Sequence, residues 1–199
     1  VVSINYRLGP FGWFRHPNIT SNSENAEDQS GNYGNLDTVQ ALEWVQKNIG
    51  YFGGDASNVT IFGESAGGYN VAALLSAKNA KGLFHKAIIQ SGGIKPGDID
   101  HSESYLEENL PWKNYSSREL VNQLILNKGM ATDRDSAKSL QEGMSDSEME
   151  GLMRNASSEE IFQAYLTTKI NTNDMLRPFP DGFVLSELGV LGSLESGFN

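Results

Sequence analysis

No cysteine occurs in the 199 residues, which excludes disulfides, thiolate metal sites and a cysteine nucleophile and leaves the redox compartment open. Histidine is nearly as scarce, with His16, His85 and His101 the only three, so imidazole chemistry is confined to three positions. No apolar run approaches the length needed to cross a bilayer. The opening Val1-Val2-Ser3-Ile4-Asn5-Tyr6 lacks an initiator methionine, a basic stretch and a cleavage site. It reads as a strand entered part-way, and the expectation is an internal piece of a longer product. Repeats and low-complexity tracts are also lacking.

Positive charge fails to balance negative charge in one half of the chain. Residues 1–95 hold seven Lys/Arg and seven Asp/Glu, whereas residues 96–199 hold eight and eighteen, so the whole net charge of -10 comes from the second half. Such a surface argues against nucleic acid or an anionic membrane as a partner; it reads as a solubilising helical exterior, with steering of cationic substrates as the other reading. Asn18, Asn58, Asn114 and Asn155 begin Asn-x-Ser/Thr triplets, which matter only in a eukaryotic secretory setting. The hydrophobic share of 38% is enough for a core, with one domain or a domain plus an appendage.

What is present is more specific. Gly63-Glu64-Ser65-Ala66-Gly67 follows the β-prone Val59-Thr60-Ile61-Phe62 and precedes Tyr69-Asn70-Val71-Ala72-Ala73-Leu74-Leu75. The order strand, sharp turn, helix is that of a nucleophile elbow, in which a serine hydroxyl stands clear of the sheet and glycines remove Cβ atoms that would collide. Ser65 is the candidate nucleophile. Gly63 and Gly67 are the structural residues beside it, and the Ala66 N–H, at the start of the helix, is the candidate oxyanion donor. A plain Gly/Ser turn between strand and helix is the alternative.

Around this motif, Val1–Tyr6, Val59–Gly63 and Lys86–Ser91 read as strands separated by helical patterns, which means a parallel sheet and an α/β class. Leu36, Val39, Leu42, Val45 and Ile49 recur at helical spacing, giving a crossover helix from Leu36 to Asn48 stopped by Gly50. The polar stretch His16 to Asn35 reads as a surface loop that borders the site. After Ser91 strand alternation disappears, and Ser116/Glu119, Ser145/Glu148 and Ser157/Glu160 fit the capping box of helix starts. The first of these helices is expected to end at Gly129. At Pro178–Leu185 the chain turns and becomes extended again, with no closing element before Gly197-Phe198-Asn199.

The runs Asn5-Tyr6-Arg7-Leu8-Gly9, Gly31-Asn32-Tyr33-Gly34 with Leu36-Asp37, Ala41-Leu42-Glu43-Trp44-Val45, Phe52-Gly53-Gly54-Asp55, Gly63–Gly68 and Gln90-Ser91-Gly92-Gly93 together resemble the type-B carboxylesterase/lipase family. The resemblance is close over residues 1–95, looser through the helical stretch, and returns at Pro180-Asp181-Gly182. It implies a partial α/β-hydrolase fold: a core over 1–95, an acidic helical excursion over 96–176, and a return segment over 177–199 within the same catalytic domain.

The resemblance further implies a serine carboxylic-ester hydrolase working through an acyl-enzyme on Ser65, with a small carboxylic ester as substrate and no metal or cofactor. The triad acid and histidine would lie outside the chain, as would the Gly-rich loop that supplies the other oxyanion donors. The three histidines agree, since His16 precedes the serine, His85 sits at a strand entry and His101 in an acidic linker. Neither Glu187 nor Glu195 matches the family's acid. Glu64 resembles the family's active-site glutamate, which tunes the local field, and Ser91 a serine that hydrogen-bonds toward the acid. Arg7 and Asp37 resemble a buried ion pair, against the alternative of two exposed charges. Asn35 and Thr38 depart from the usual apolar residue and glutamine. A catalytically silent adhesion or interaction protein of the same fold is the rival reading, with a small-ligand binder carrying an accidental motif behind it.

Overall fold

The structure is a computed structural model that describes residues 1–105, 116–168 and 176–196, Leu194 by its backbone alone. Asn114 and Gly197-Phe198-Asn199 lie outside the described residues. In chain order the helices are α1 (Gly9–Gly12), α2 (Pro17–Asn22), α3 (Ala26–Ser30), α4 (Tyr33–Asn48), α5 (Ala66–Ser76), α6 (Ile99–Glu103), α7 (Ser117–Asn127), α8 (Arg134–Glu142), α9 (Asp146–Arg154), α10 (Ser158–Thr167) and α11 (Gly189–Ser196). The strands are β1 (Thr60–Glu64) and β2 (Lys86–Gln90). The chain falls into two compact units, one of Val1–Trp13, Ser30–Gly97 and Arg177–Asn199, the other of Phe14–Gln29 and Asp98–Leu176.

In the first unit β1 and β2 pair in parallel, from Thr60 opposite Lys86 to Glu64 opposite Gln90, and α5 is the connection between them. Val39 and Leu42 of α4, Ile61 of β1, and Val71 and Leu74 of α5 are buried together, with Val59, Leu83 and Phe84 against them. The alternation along β1 puts Ile61 into this core and leaves Phe62 58% exposed on the other face. Every residue of β2 is exposed.

Several local expectations need correction. Val1–Tyr6 is not a strand: among the described residues β1 and β2 pair only with each other, and Val1, Val2 and Ile4 stay exposed without a ladder to stabilise an extended backbone. α4 is therefore not a crossover between two strands here. It starts at Tyr33, and Gly50 does not stop the chain, which tightens into a 3₁₀ turn over Ile49–Phe52 and ends at Gly53, where φ is +77°. The stretch from His16 to Asn35 is not a loop but holds α2, α3 and the start of α4; Pro17 at the first position of α2 supplies a helical φ that polar composition conceals. At 176–185 the chain bends without forming a strand, and α11 follows where no closing element was expected.

The bend is held by a clamp. The Asn32 side chain accepts from the Phe179 N–H at 2.7 Å and donates to the Phe179 carbonyl at 2.9 Å and to Asp181 Oδ1 at 3.0 Å. Asp181 also accepts from the Val184 and Leu185 N–H groups. Val184 and Leu185 are thereby buried beside Ala73 of α5, with Leu36 packed against them. Asn32 is thus engaged with the bend and makes no side-chain cap on α4.

In the second unit the capping signatures hold. Ser145/Glu148 and Ser157/Glu160 form reciprocal boxes, whereas at Ser116 only the serine caps, because Glu119 turns to pair with Arg134. α7 closes at Gly129, where φ is +67°, with the Met130 N–H reaching the Ile125 carbonyl. Leu120, Val121, Leu124 and Ile125 of α7, Ala137 of α8, Met149 of α9 and Ala164 of α10 are fully buried.

His16 is buried in this unit, its Nε2 2.9 Å from Gln141 Oε1. Gln141 spends its NH₂ on the Arg118 carbonyl and Asn122 Oδ1, so its oxygen accepts and His16 carries the proton on Nε2, leaving Nδ1 without a partner. Burial lowers the His16 pKa to about 4, with Arg118 acting in the same direction and the Gln141 bond and Asp146 opposing. Between its ordinary value of 6.5 and about 4, the unfolded chain binds a proton that the folded chain refuses. Stability therefore falls as the pH drops through that window, by on the order of 2 kcal/mol. Urea unfolding at pH 7 and pH 5 should show the loss, and His16→Phe should flatten this part of the pH dependence.

Candidate active site

Ser65 links the carboxyl end of β1 to the amino end of α5 and adopts φ +51°, ψ -112°. A non-glycine residue at positive φ is strained and persists only where its neighbours over-determine it. Three observations supply that constraint. The Ser65 N–H extends the ladder to the Gln90 carbonyl at 2.9 Å, and the Tyr69 N–H takes the Ser65 carbonyl at 3.1 Å. A Cβ on Gly63 would sit 2.4 Å from the Gly67 backbone, so strand and helix close onto each other only without it. Gly68 and Gly92 likewise meet backbone to backbone, each Cβ position falling within 2.7 Å of the other's main chain.

Gly67 works differently from the expectation. A Cβ there would meet open space, so it is the Gly67 backbone, not its own missing side chain, that Gly63 must accommodate. Ser65 and Glu64 are exposed and Ala66 is half-buried. The Ala66 N–H belongs to the first turn of α5, whose donors lack intrahelical acceptors and sit at the positive end of the helix dipole. Beside a carbonyl attacked by the Ser65 hydroxyl, that geometry offers a donor to the developing oxyanion.

Ser91 follows β2 as Ser65 follows β1, and it too has positive φ, +50°. The two are the only non-glycine residues of this kind among the described residues, and both stand at the carboxyl edge of the parallel pair. Sequence reasoning singled out Ser91 but not its backbone, nor the Gly68–Gly92 approach; the Gly92-Gly93 doublet was the available signal. His85 lies at the other end of the ladder, preceding Lys86, with its Nδ1 accepting from the Val59 N–H. Five residues of strand, about 17 Å, separate it from Ser65. His16 and His101 belong to the second unit.

Arg7 and Asp37 do pair, but the pair is not buried: the guanidinium is 52% exposed and the carboxylate 25%. Arg7 Nη2 reaches Oδ1 at 2.7 Å and Nε reaches Oδ2 at 2.8 Å, while the Arg7 N–H adds a bond to Oδ2 at 2.9 Å. These bonds, opposed by partial burial, hold the Asp37 carboxyl below its ordinary range. The guanidinium lies over the Tyr33 ring. Asn35 finds a role for its oxygen, which accepts from the Trp13 indole at 2.9 Å, and Thr38 bonds back to the Asn35 carbonyl. Among the described residues no cluster of acidic or histidine side chains has the grouping of a metal site, and no helix is long and apolar enough to cross a membrane.

Comparison with known proteins places this geometry in context. The model of the carboxylesterase family matches residues 1–187. The para-nitrobenzyl esterase of Bacillus subtilis (strain 168) is 53% identical over 95 residues, which cover 48% of this chain and 18% of that protein. Human carboxylesterase 5A is 54% identical over 92 residues, 46% of this chain and 15% of its own length. Among solved structures, a PNB esterase superposes with a TM-score of 0.65 at 30% identity, covering 97% of this chain and 34% of that one. A carboxylesterase of Geobacillus stearothermophilus gives 0.63 at 32%, covering 91% and 31%. The matched stretch thus spans less than a fifth of the length of these curated relatives. The fold that it shares with the solved esterases is part of an α/β-hydrolase. The chain belongs to the carboxylesterase family.

Proposed function

We propose that this chain is the nucleophile-bearing part of a serine carboxylic-ester hydrolase, with residues 96–176 an excursion and 177–199 a return to one catalytic domain. The observation that carries the reading is the strained backbone of an exposed Ser65 between β1 and α5. In the reaction Ser65 Oγ attacks the ester carbonyl carbon and gives its proton to a histidine base supplied from outside these residues. The carbonyl oxygen becomes an oxyanion facing the Ala66 N–H. Collapse of the tetrahedral intermediate breaks the bond to the alcohol oxygen, which leaves with that proton, and water then hydrolyses the acyl-serine. Glu64 tunes the field at the elbow, and Ser91 hydrogen-bonds toward the acidic triad member. The substrate is a small carboxylic ester, and the chemistry calls for no cofactor.

A serine hydroxyl without a base is a poor nucleophile at neutral pH. The 199-residue chain should therefore hydrolyse p-nitrophenyl butyrate at close to the buffer rate, while the full-length protein turns it over. Turnover by the chain alone that Ser65→Ala abolishes would place a base within these residues. A folded full-length protein that is inert toward esters would favour the silent interaction protein instead.

A further inference from the structure

Arg177 stands apart from the other described arginines. Arg7, Arg15, Arg134 and Arg154 each bond a carboxylate, and Arg118 bonds the Glu103 carbonyl and the Tyr105 hydroxyl. Arg177 is half-buried and stacks its guanidinium 5.2 Å from the centroid of the Tyr69 ring. Among the described residues it has neither an ion-pair partner nor a hydrogen-bond acceptor. A guanidinium presents five N–H donors in a planar fork matched to a carboxylate, and a half-buried one gains more from an anion than a solvated lysine does.

Its position is fixed from three sides. Tyr69 lies one turn beyond Ser65 on α5, its N–H on the Ser65 carbonyl. The hydroxyl end of the Tyr69 ring fills the place where a Cβ of Gly93 would sit, 2.4 Å away. The Gly97 N–H bonds the Pro178 carbonyl at 2.8 Å, and Gly97 leaves no room for a Cβ against the Arg177 carbonyl. Asp181 of the bend is already engaged, serving Asn32, Val184 and Leu185. The ring and guanidinium therefore follow the carboxyl ends of both strands, the edge at which open α/β sheets bind ligands.

We infer that Arg177, seated on Tyr69, recognises a carboxylate carried by the substrate, so that the preferred esters are anionic ones such as half-esters of dicarboxylic acids. This rests on the reading of Ser65 as the nucleophile of an ester hydrolase. Arg177 acts in specificity, holding the free carboxylate while the ester carbonyl lies at the elbow, and takes no part in bond breaking.

The test is equilibrium binding, which needs no turnover. Monomethyl glutarate and dimethyl glutarate are titrated into the ¹⁵N-labelled chain, following the Arg177 Nε–H and the Ala66 amide by NMR. The half-ester should bind about tenfold more tightly than the diester. Arg177→Gln should abolish that ratio while leaving the diester unchanged, and Arg177→Lys should keep part of it. Equal affinities for the two esters in the wild-type chain, or a preference that survives Arg177→Gln, would overturn the inference. Equal weakening of both esters in the variant would mark Arg177 as merely structural and overturn it too. Failure of the Ser65 reading shows separately, as absence of covalent labelling of the serine in the full-length protein with the binding ratio intact.

Discussion

Replacing Ser65 with alanine should lower kcat/KM of the full-length protein for p-nitrophenyl butyrate by about 10⁵-fold or more, without lowering its thermal midpoint. The size follows from the chemistry. Removing the attacking oxygen removes the acyl-enzyme path entirely, and what remains is the modest stabilisation that the Ala66 N–H gives to attack by water. The absence of a stability cost follows from the backbone. Ser65 is exposed, makes no side-chain cap on α5, and holds a strained φ of +51°. Alanine adopts that φ no more readily than serine, so the strain is unchanged. A loss of less than tenfold, with the protein folded, would remove the serine from the mechanism.

Gly63→Ala should damage the protein itself. Its Cβ would lie 2.4 Å from the carbonyl carbon and oxygen of Gly67, main-chain atoms with no rotamer to escape into. Either the turn opens, moving Ser65 from its place, or the strand shifts and the Ser65 N–H loses the Gln90 carbonyl. The expected cost is more than about 3 kcal/mol, read as a fall in the denaturation midpoint, together with loss of activity. Gly67→Ala is the matched control, because a Cβ there meets open space and alanine has the higher helix propensity, so the denaturation midpoint should stay level or rise slightly. If the two variants behave alike, the close approach of strand and helix is not what shapes the elbow.

The contrast shows where sequence reasoning has physical purchase. The elbow was legible because its determinants are contiguous: an apolar run, a glycine, a serine and an alanine-rich helix start lie within about a dozen residues and constrain one another directly. The boxes at Ser145 and Ser157 were legible for the same reason, since a cap and its reciprocal bond span three residues. Ser116 shows the limit, because Glu119 prefers a guanidinium fifteen residues away to the local N–H. Long-range determinants were invisible. The clamp of Asn32 on Phe179 joins residues 147 apart, and no local pattern announces it. The segment 16–35 read as a loop because its polar side chains hid the helices whose tertiary partners include Asp146 and Glu150 of α9. Val1–Tyr6 failed in the opposite sense: its β propensity is real, but a strand exists only as half of a pair.

The candidate site divides along the same line. Ser65, Ala66 and Gly63 came from one motif and Glu64 from resemblance, and the four lie together at the end of β1. Ser91 came from resemblance, and its positive φ gives it a second, independent mark. The Arg177–Tyr69 stack had no signal in the sequence, because it joins the return segment to α5 across more than a hundred residues.

The most direct measurement is the site of covalent modification. The full-length protein is treated with a fluorophosphonate, digested, and its peptides are sequenced by mass spectrometry. The account predicts one stoichiometric phosphonyl adduct on the Ser65 hydroxyl, formed more slowly when excess p-nitrophenyl butyrate is present during labelling. An adduct on any other serine, or none on a folded and ester-hydrolysing protein, would contradict it.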